Sequence, residues 1–117
     1  MNKILRILFT IFLIPSSLLQ AGLTAPPNGS NLTYIHVLFE WEEEPNATGY
    51  EFQLSGAEDF NIPLVNTIIT DLFYIEKEKI NWESNYFWRV RANAGEWMGP
   101  HEFSTGENSE TFQNDDK

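Results

Sequence analysis

The sequence predicts an all-β protein, a β-sandwich of seven short strands, and three observations predict it. The first is alternation over residues 86–92. Tyr86, Trp88, Val90 and Ala92 form one apolar row, while Phe87, Arg89 and Arg91 point the other way. A period of two, rich in aromatic and β-branched side chains, marks a strand with one buried face. The second is the polar bend ahead of it, with Ile80 six residues before Tyr86. That spacing suits a tyrosine corner, in which the ring lies under the bend and its hydroxyl bonds to upstream backbone. The third is that no segment shows a helical period, and turn chemistry separates the apolar runs throughout.

Taken in order, residues 1–21 have the layout of a secretory signal peptide. Lys3 and Arg6 make a basic start, residues 7–14 an apolar core, and residues 16–21 a small and polar exit ending in Ala21. Pro15 stops the apolar run well short of the roughly 20 residues that a membrane span needs. The alternative is an uncleaved anchor helix extending to Leu19. With no cysteine in the chain, lipid attachment at a mature N-terminal Cys is excluded.

Cleavage after Ala21 leaves 96 of the 117 residues. Lys3 and Arg6 depart with the leader and no acid does, so 5 basic face 17 acidic side chains, a net charge of −12. Nucleic acid and anionic membrane surfaces would both be repelled by such a chain. The implied location is exported: secreted, periplasmic or cell-surface. A cysteine-free exported domain has no disulfides and holds together by its core alone.

Residues 22–105 form one domain. Leu23 and Ala25 start an edge strand, Pro26-Pro27 bars regular pairing, and Asn28-Gly29 is a turn signal. In residues 36–42, Val37, Phe39 and Trp41 share one face, with His36, Glu40 and Glu42 on the other. A loop over residues 43–49 leads to the strand at 50–55, with Tyr50, Phe52 and Leu54 inward and Glu51 and Gln53 outward. Phe60, Ile62 and Leu64 suggest an edge strand interrupted by Pro63. Residues 67–76 hold another short strand, with Phe73 and Ile75 expected in the core. Beyond the corner and the long strand, residues 93–96 make a tight loop and residues 97–105 a last strand carrying Phe103. Residues 106–117, acidic with one isolated Phe112, read as a disordered tail or the start of a linker.

These residues together resemble a fibronectin type III domain of the sort found in bacterial exported proteins. The resemblance covers Leu23 to about Thr105. It rests on Pro27-Asn28-Gly29 after the first strand, on Phe39-Glu40-Trp41, and on the run from Gly49 to Leu54. It continues with Ile80 ahead of Tyr86, the run from Tyr86 to Ala92, Trp97, and Phe103-Ser104-Thr105. One departure is Trp82, which stands in the bend where a proline is usual. The Arg-Gly-Asp tripeptide of some animal members is absent, so their adhesion mechanism does not carry over. The resemblance implies an immunoglobulin-like sandwich whose structural positions are Trp41, Tyr50, Ile80, Tyr86, Trp88 and Val90. It implies a non-catalytic module that spaces other domains or contacts a protein partner, with no cofactor.

Candidate chemistry is sparse. The chain has no Cys, no serine in a Gly-x-Ser-x-Gly elbow, and two histidines, His36 and His101, far apart and both read as solvated surface residues. Glu42-Glu43-Glu44 and Glu58-Asp59 lack the spaced pattern of a calcium loop and read as an acidic rim. Asn28, Asn31 and Asn46 head formal glycosylation sequons, which turns rich in Asn, Gly, Ser and Thr produce by chance. Trp41 and Trp88 fall on inward rows. Trp82 and Trp97 do not, and exposed aromatics stack on sugar rings or anchor partner proteins. Each either covers one open end of the sandwich, the favoured reading, or serves as a contact residue, and the alternative function is a small carbohydrate-binding domain that uses one of them.

Overall fold

The computed structural model describes residues 21–108. The leader expected over 1–21, apart from Ala21, and the tail expected over 106–117, apart from residues 106–108, lie outside the described residues. Eight strands follow one another: β1 Leu23–Ala25, β2 Ser30–Leu32, β3 Val37–Trp41, β4 Tyr50–Ser55, β5 Val65–Ile69, β6 Phe73–Glu76, β7 Asn85–Ala92 and β8 Met98–Thr105. They form a three-stranded sheet, β1-β3-β6, and a five-stranded sheet, β2-β8-β7-β4-β5. No helix occurs among the described residues, and the arrangement is compatible with a β-sandwich.

The core lies where the inward rows meet. Phe39 of the small sheet packs edge-on against Phe52 and Trp88 of the large one, with ring centroids 4.9 and 5.0 Å apart. Trp41 stacks on Phe52, Tyr86 stacks on Phe103, and all of these residues are buried. Fully burying one such side chain contributes roughly 1.5–3 kcal/mol, and edge-on ring pairs add about 0.5–1.5 kcal/mol. A cysteine-free domain of this size thus draws its cohesion from aromatic packing. Trp41, Tyr50, Ile80, Tyr86, Trp88 and Val90 are all in this core.

The corner is present. The backbone N–H of Asn81 donates to the Tyr86 hydroxyl at 2.7 Å. Thr105 fastens the same bend from β8: its hydroxyl donates to the Asn81 carbonyl at 2.6 Å, and its N–H donates to the Ser84 carbonyl at 2.9 Å. Tyr50 does a similar job at the opposite end of the sandwich, its hydroxyl accepting from the Glu44 N–H at 3.0 Å.

At the N-terminus the chain changes sheets. Pro26 and Pro27 interrupt pairing, so β1 pairs antiparallel with β3 while β2 pairs parallel with β8. Gly29 takes the left-handed conformation this turn requires, with φ of 85°. The extra strand β2 is therefore the continuation of the first edge strand on the other sheet.

Three expectations are corrected. Phe60, Ile62 and Leu64 do not form a strand: Phe60 sits at φ of 54° in a turn, where the Asn61 N–H donates to the Asp59 carboxylate. Phe60 is buried but Ile62 is 82% exposed, so the three do not share a face. Residues 67–76 hold parts of two strands, because the chain crosses from β5 in the large sheet to β6 in the small one. In β6 the facing is the reverse of that expected: Phe73 and Ile75 are exposed, while Tyr74 packs on the core and Glu76 is buried. Register decides this, since Phe39 points inward and stands opposite Tyr74, whereas Leu38 and Ile75 pair on the outside. Finally, His101 is half-buried instead of fully solvated: it shares the inward row of Phe103 and Thr105 on β8 and lies edge-on to Trp88 at 5.9 Å. Just before it the β7–β8 register slips by one residue between Trp88 and Val90, a bulge at which Gly99 takes φ of 94°. The φ at Gly99 strains any L side chain, and a Cβ there would also crowd the His101 backbone nitrogen at 3.1 Å, so glycine suits this point.

Candidate functional site

The outward row of β7 and the outward row of β4 lie side by side on the large sheet. Register places Arg91 opposite Glu51 and Arg89 opposite Gln53. Arg91 Nε donates to Glu51 Oε1 at 2.7 Å, the cross-strand ion pair that alternation implies, and Arg89 Nε donates to Gln53 Oε1 at 2.8 Å. Two aromatic rings from loops close over these guanidinium groups. Arg89 lies 3.9 Å from the Trp97 ring centroid and 4.2 Å from that of Phe60, and Arg91 lies 4.4 Å from Trp97. Planar guanidinium on an aromatic face is the favourable cation–π geometry. Burial and the neighbouring Arg91 charge pull the Arg89 pKa below its ordinary value, opposed by the Glu51 charge. The layer is thick enough that Gln53, an outward residue, is buried beneath it.

Trp97 is thus half-buried and stacked on by Arg89 and Arg91. Trp82 is also half-buried, in the bend that Thr105 fastens. Trp82 precedes β7 and Trp97 precedes the antiparallel β8, so the two indoles lie towards opposite ends of the sheet and are not brought together.

The outer face of the small sheet is different. Leu38 and Ile75 are directly opposed across β3 and β6, and Phe73 stands opposite Glu40. Leu38, Phe73 and Ile75 are each more than two-fifths exposed. Exposed His36, in the same outward row as Leu38, prolongs this face. Strand β6 has β3 on one side and is the sheet's edge on the other.

Sequence reasoning missed one residue that organises this region. Glu76 is buried, and its two carboxylate oxygens take three hydrogen bonds: from the Tyr74 hydroxyl at 2.8 Å and from the N–H groups of Glu78 and Lys79, each at 2.8 Å. Burial works to raise its pKa, but these bonds and the Lys79 charge hold it below the ordinary carboxylate value. The same burial and the Glu76 bond push the Tyr74 phenol up to about 12. The available signal was a carboxylate followed two and three residues later by N–H groups in a turn, which is weak in isolation.

At one end of the sandwich a cleft of about 570 Å³ is lined by Gly22, Glu44, Glu96, Trp97 and His101 among others. Two of the three sequon asparagines use their side chains structurally: Asn28 Oδ1 accepts from the Glu102 N–H at 2.8 Å, and Asn31 Oδ1 accepts from the Ser104 hydroxyl at 3.0 Å. Among the described residues, no group of three or more His, Cys, Asp or Glu is placed to hold a metal ion. Compared with protein-family models, curated proteins and solved structures, the chain matches none of them.

Proposed function

We propose that the chain is an exported, non-catalytic module of fibronectin type III type that makes a protein contact or spaces neighbouring domains. The observation that carries the contact reading is the open apolar face formed by Leu38, Phe73 and Ile75 on β3 and the edge strand β6. Contiguous apolar side chains beside a free strand edge are the usual material of a protein contact. The flanking charges differ at its two ends: Glu40 stands opposite Phe73 and Asp71 lies two residues before it, whereas exposed Lys77 lies two residues after Ile75. The fitting partner is therefore a protein surface with apolar side chains and charges of both signs at its rim.

The type III reading is supported by the tyrosine corner and by the strand count. With β1 and β2 taken as two halves of one strand broken at Pro26-Pro27, the eight strands reduce to the expected seven. The non-catalytic reading is supported by the side-chain inventory: no cysteine, and two histidines on opposite sides of the small sheet's core packing. The carbohydrate alternative needs an aromatic face open to a sugar, and Trp97 is already stacked against Arg89 and Arg91.

A photo-crosslinking residue placed at position 75, and separately at position 68 on the outer face of β5, tests the contact in the producing cell. A discrete protein adduct from position 75 and none from position 68 is expected. Equal or absent labelling from both sites rejects the contact surface. A saturable tryptophan fluorescence shift with a soluble polysaccharide, lost in Trp97→Ala while the fold survives, would establish the carbohydrate function instead.

A further inference from the structure

The segment just after the expected cleavage point is held at both of its backbone groups by one residue. The Gly22 carbonyl accepts from the Glu42 N–H at 3.0 Å, and the Gly22 N–H donates to Glu42 Oε1 at 2.9 Å. Gly22 also lines the end cleft together with Ala21, Glu44, Glu96 and His101, and that lining contains no Lys or Arg. In the uncut chain the Gly22 nitrogen is a neutral amide. Hydrolysis of the Ala21–Gly22 bond, with water as co-reactant, leaves a carboxylate on Ala21 and an amine on Gly22. The amine takes up a proton and becomes an ammonium at a nitrogen already bonded to a carboxylate.

We propose that the fold contains a receptor for its own new N-terminus: after cleavage between Ala21 and Gly22, the Gly22 α-ammonium is captured by the Glu42 carboxylate at the mouth of an acidic cleft. The proposal rests on the export reading and extends it, because it assigns the processing site and what the new terminus does. Glu42 is in direct contact with the Gly22 nitrogen, and Glu44, Glu96 and His101 line the same cleft as Gly22. The amide-to-ammonium change turns a neutral bond into a charge-assisted one, which is the stronger kind.

The test uses the full chain expressed with its leader in a secreting bacterium, with the exported product isolated and its N-terminal residue determined. Its α-amine is then titrated by NMR, alongside Glu42→Gln and, as a control acid outside the cleft, Glu58→Gln. The expected result is Gly22 as first residue and an amine pKa at least about half a unit above the ordinary 7.7–8.0, returning to that range in Glu42→Gln and unchanged in Glu58→Gln. Because the folded pKa is raised, the stability gained is present below the unfolded value and lost as pH rises through the folded one. Acetylating the terminus, which keeps the N–H but removes the charge, should therefore lower the melting temperature at pH 7 and not at pH 10. A chain that begins at Gly22 but titrates normally overturns the capture and leaves export standing. A chain cut elsewhere also overturns the capture and leaves export standing, and a chain that stays in the cytoplasm with its leader attached overturns both.

Discussion

The two outer faces of the molecule are built on the same strand alternation and end in opposite states. On the large sheet the outward positions of β4 and β7 include Glu51, Gln53, Arg89 and Arg91, and rings from two loops lie over them until Gln53 is buried, while Ile68 on the edge strand β5, opposite Glu51, stays 69% exposed. On the small sheet the outward positions carry Leu38, Phe73 and Ile75, and these stay exposed. The charged middle of the large face is therefore covered, and the apolar face of the small sheet is open. Covering the arginines takes aromatic residues from outside the sheet, Phe60 and Trp97, and the loops holding them belong to the large sheet's strands. Exposure here follows which loop folds back over a face, and the small sheet, which no such loop covers, keeps three apolar side chains open side by side.

Arg89 should be the most damaging residue to remove from either outer face. It makes two ring contacts and supplies the donor to Gln53. Each cation–π contact is worth about 0.5–2 kcal/mol, depending on burial, and leaving the buried Gln53 oxygen unpaired costs about 1–3 kcal/mol. Since the contacts share one side chain and do not add, Arg89→Ala should lower stability by about 2–3 kcal/mol in denaturant melts. Arg89→Lys should recover less than half of that, because an ammonium lacks the planar face that stacks on Trp97.

Glu76 tests the inner side of the strand whose outer side is open. Glu76→Gln should cost about 1–2 kcal/mol at pH 7, as hydrogen bonds to a charged acceptor become neutral ones. The sign with pH follows from the lowered pKa of Glu76. Its contribution is fully present above the unfolded value of roughly 4.3 and is lost as pH falls through the lower, folded value. Melts of wild type and Glu76→Gln should accordingly converge towards pH 3. A difference that persisted there would mean that the carboxylate acts by shape alone.

Much of the large sheet was legible in the sequence, and the small sheet's edge was not. The runs at 50–55 and 86–92 announce themselves because each has one apolar and one polar row, and the pairing of Glu51 with arginine followed from those rows. Strand β6 misled for the converse reason. Its outward row, Phe73 and Ile75, is more apolar than its inward row, Tyr74 and Glu76, so alternation alone points the wrong way. Only the register with β3 fixes the facing, and register is a long-range fact. The stacking of Trp97 was equally hidden, since nothing local says that a loop tryptophan will meet an arginine six residues earlier in the chain. His101 was misread because Gly99-Pro100 looks like an ordinary turn, although alternation counted back from Phe103 already points it inward.

A smaller effect is expected from the ion pair that closes the covered face. Arg91 and Glu51 are partly exposed, and a cross-strand pair of this kind is worth at most about 1 kcal/mol. A double-mutant cycle with Arg91→Ala and Glu51→Ala should return a coupling of that size at low salt and less at 0.5 M salt. Coupling above 2 kcal/mol would indicate that the Trp97 layer desolvates the pair more fully than its exposure implies.

The smallest effect should come from the open face, and its smallness is the point. Ile75 keeps 46% of its surface exposed, so Ile75→Thr removes far less buried apolar area than a core truncation and keeps a β-branched residue in an edge strand. Opposed Leu38 loses one cross-strand contact, worth a few tenths of a kcal/mol. The expected change is within about 0.5 kcal/mol, the range of ordinary surface substitutions. Leu38→Thr should behave alike, whereas Tyr74→Thr, on the same strand but packed on Phe52 at 4.7 Å, should cost several times more. Denaturant melts of the three variants would settle the facing of β6 directly. If Ile75→Thr proved as costly as Tyr74→Thr, the face would be covered in solution, and the free protein would already be in contact with a second copy or with its own terminal segments.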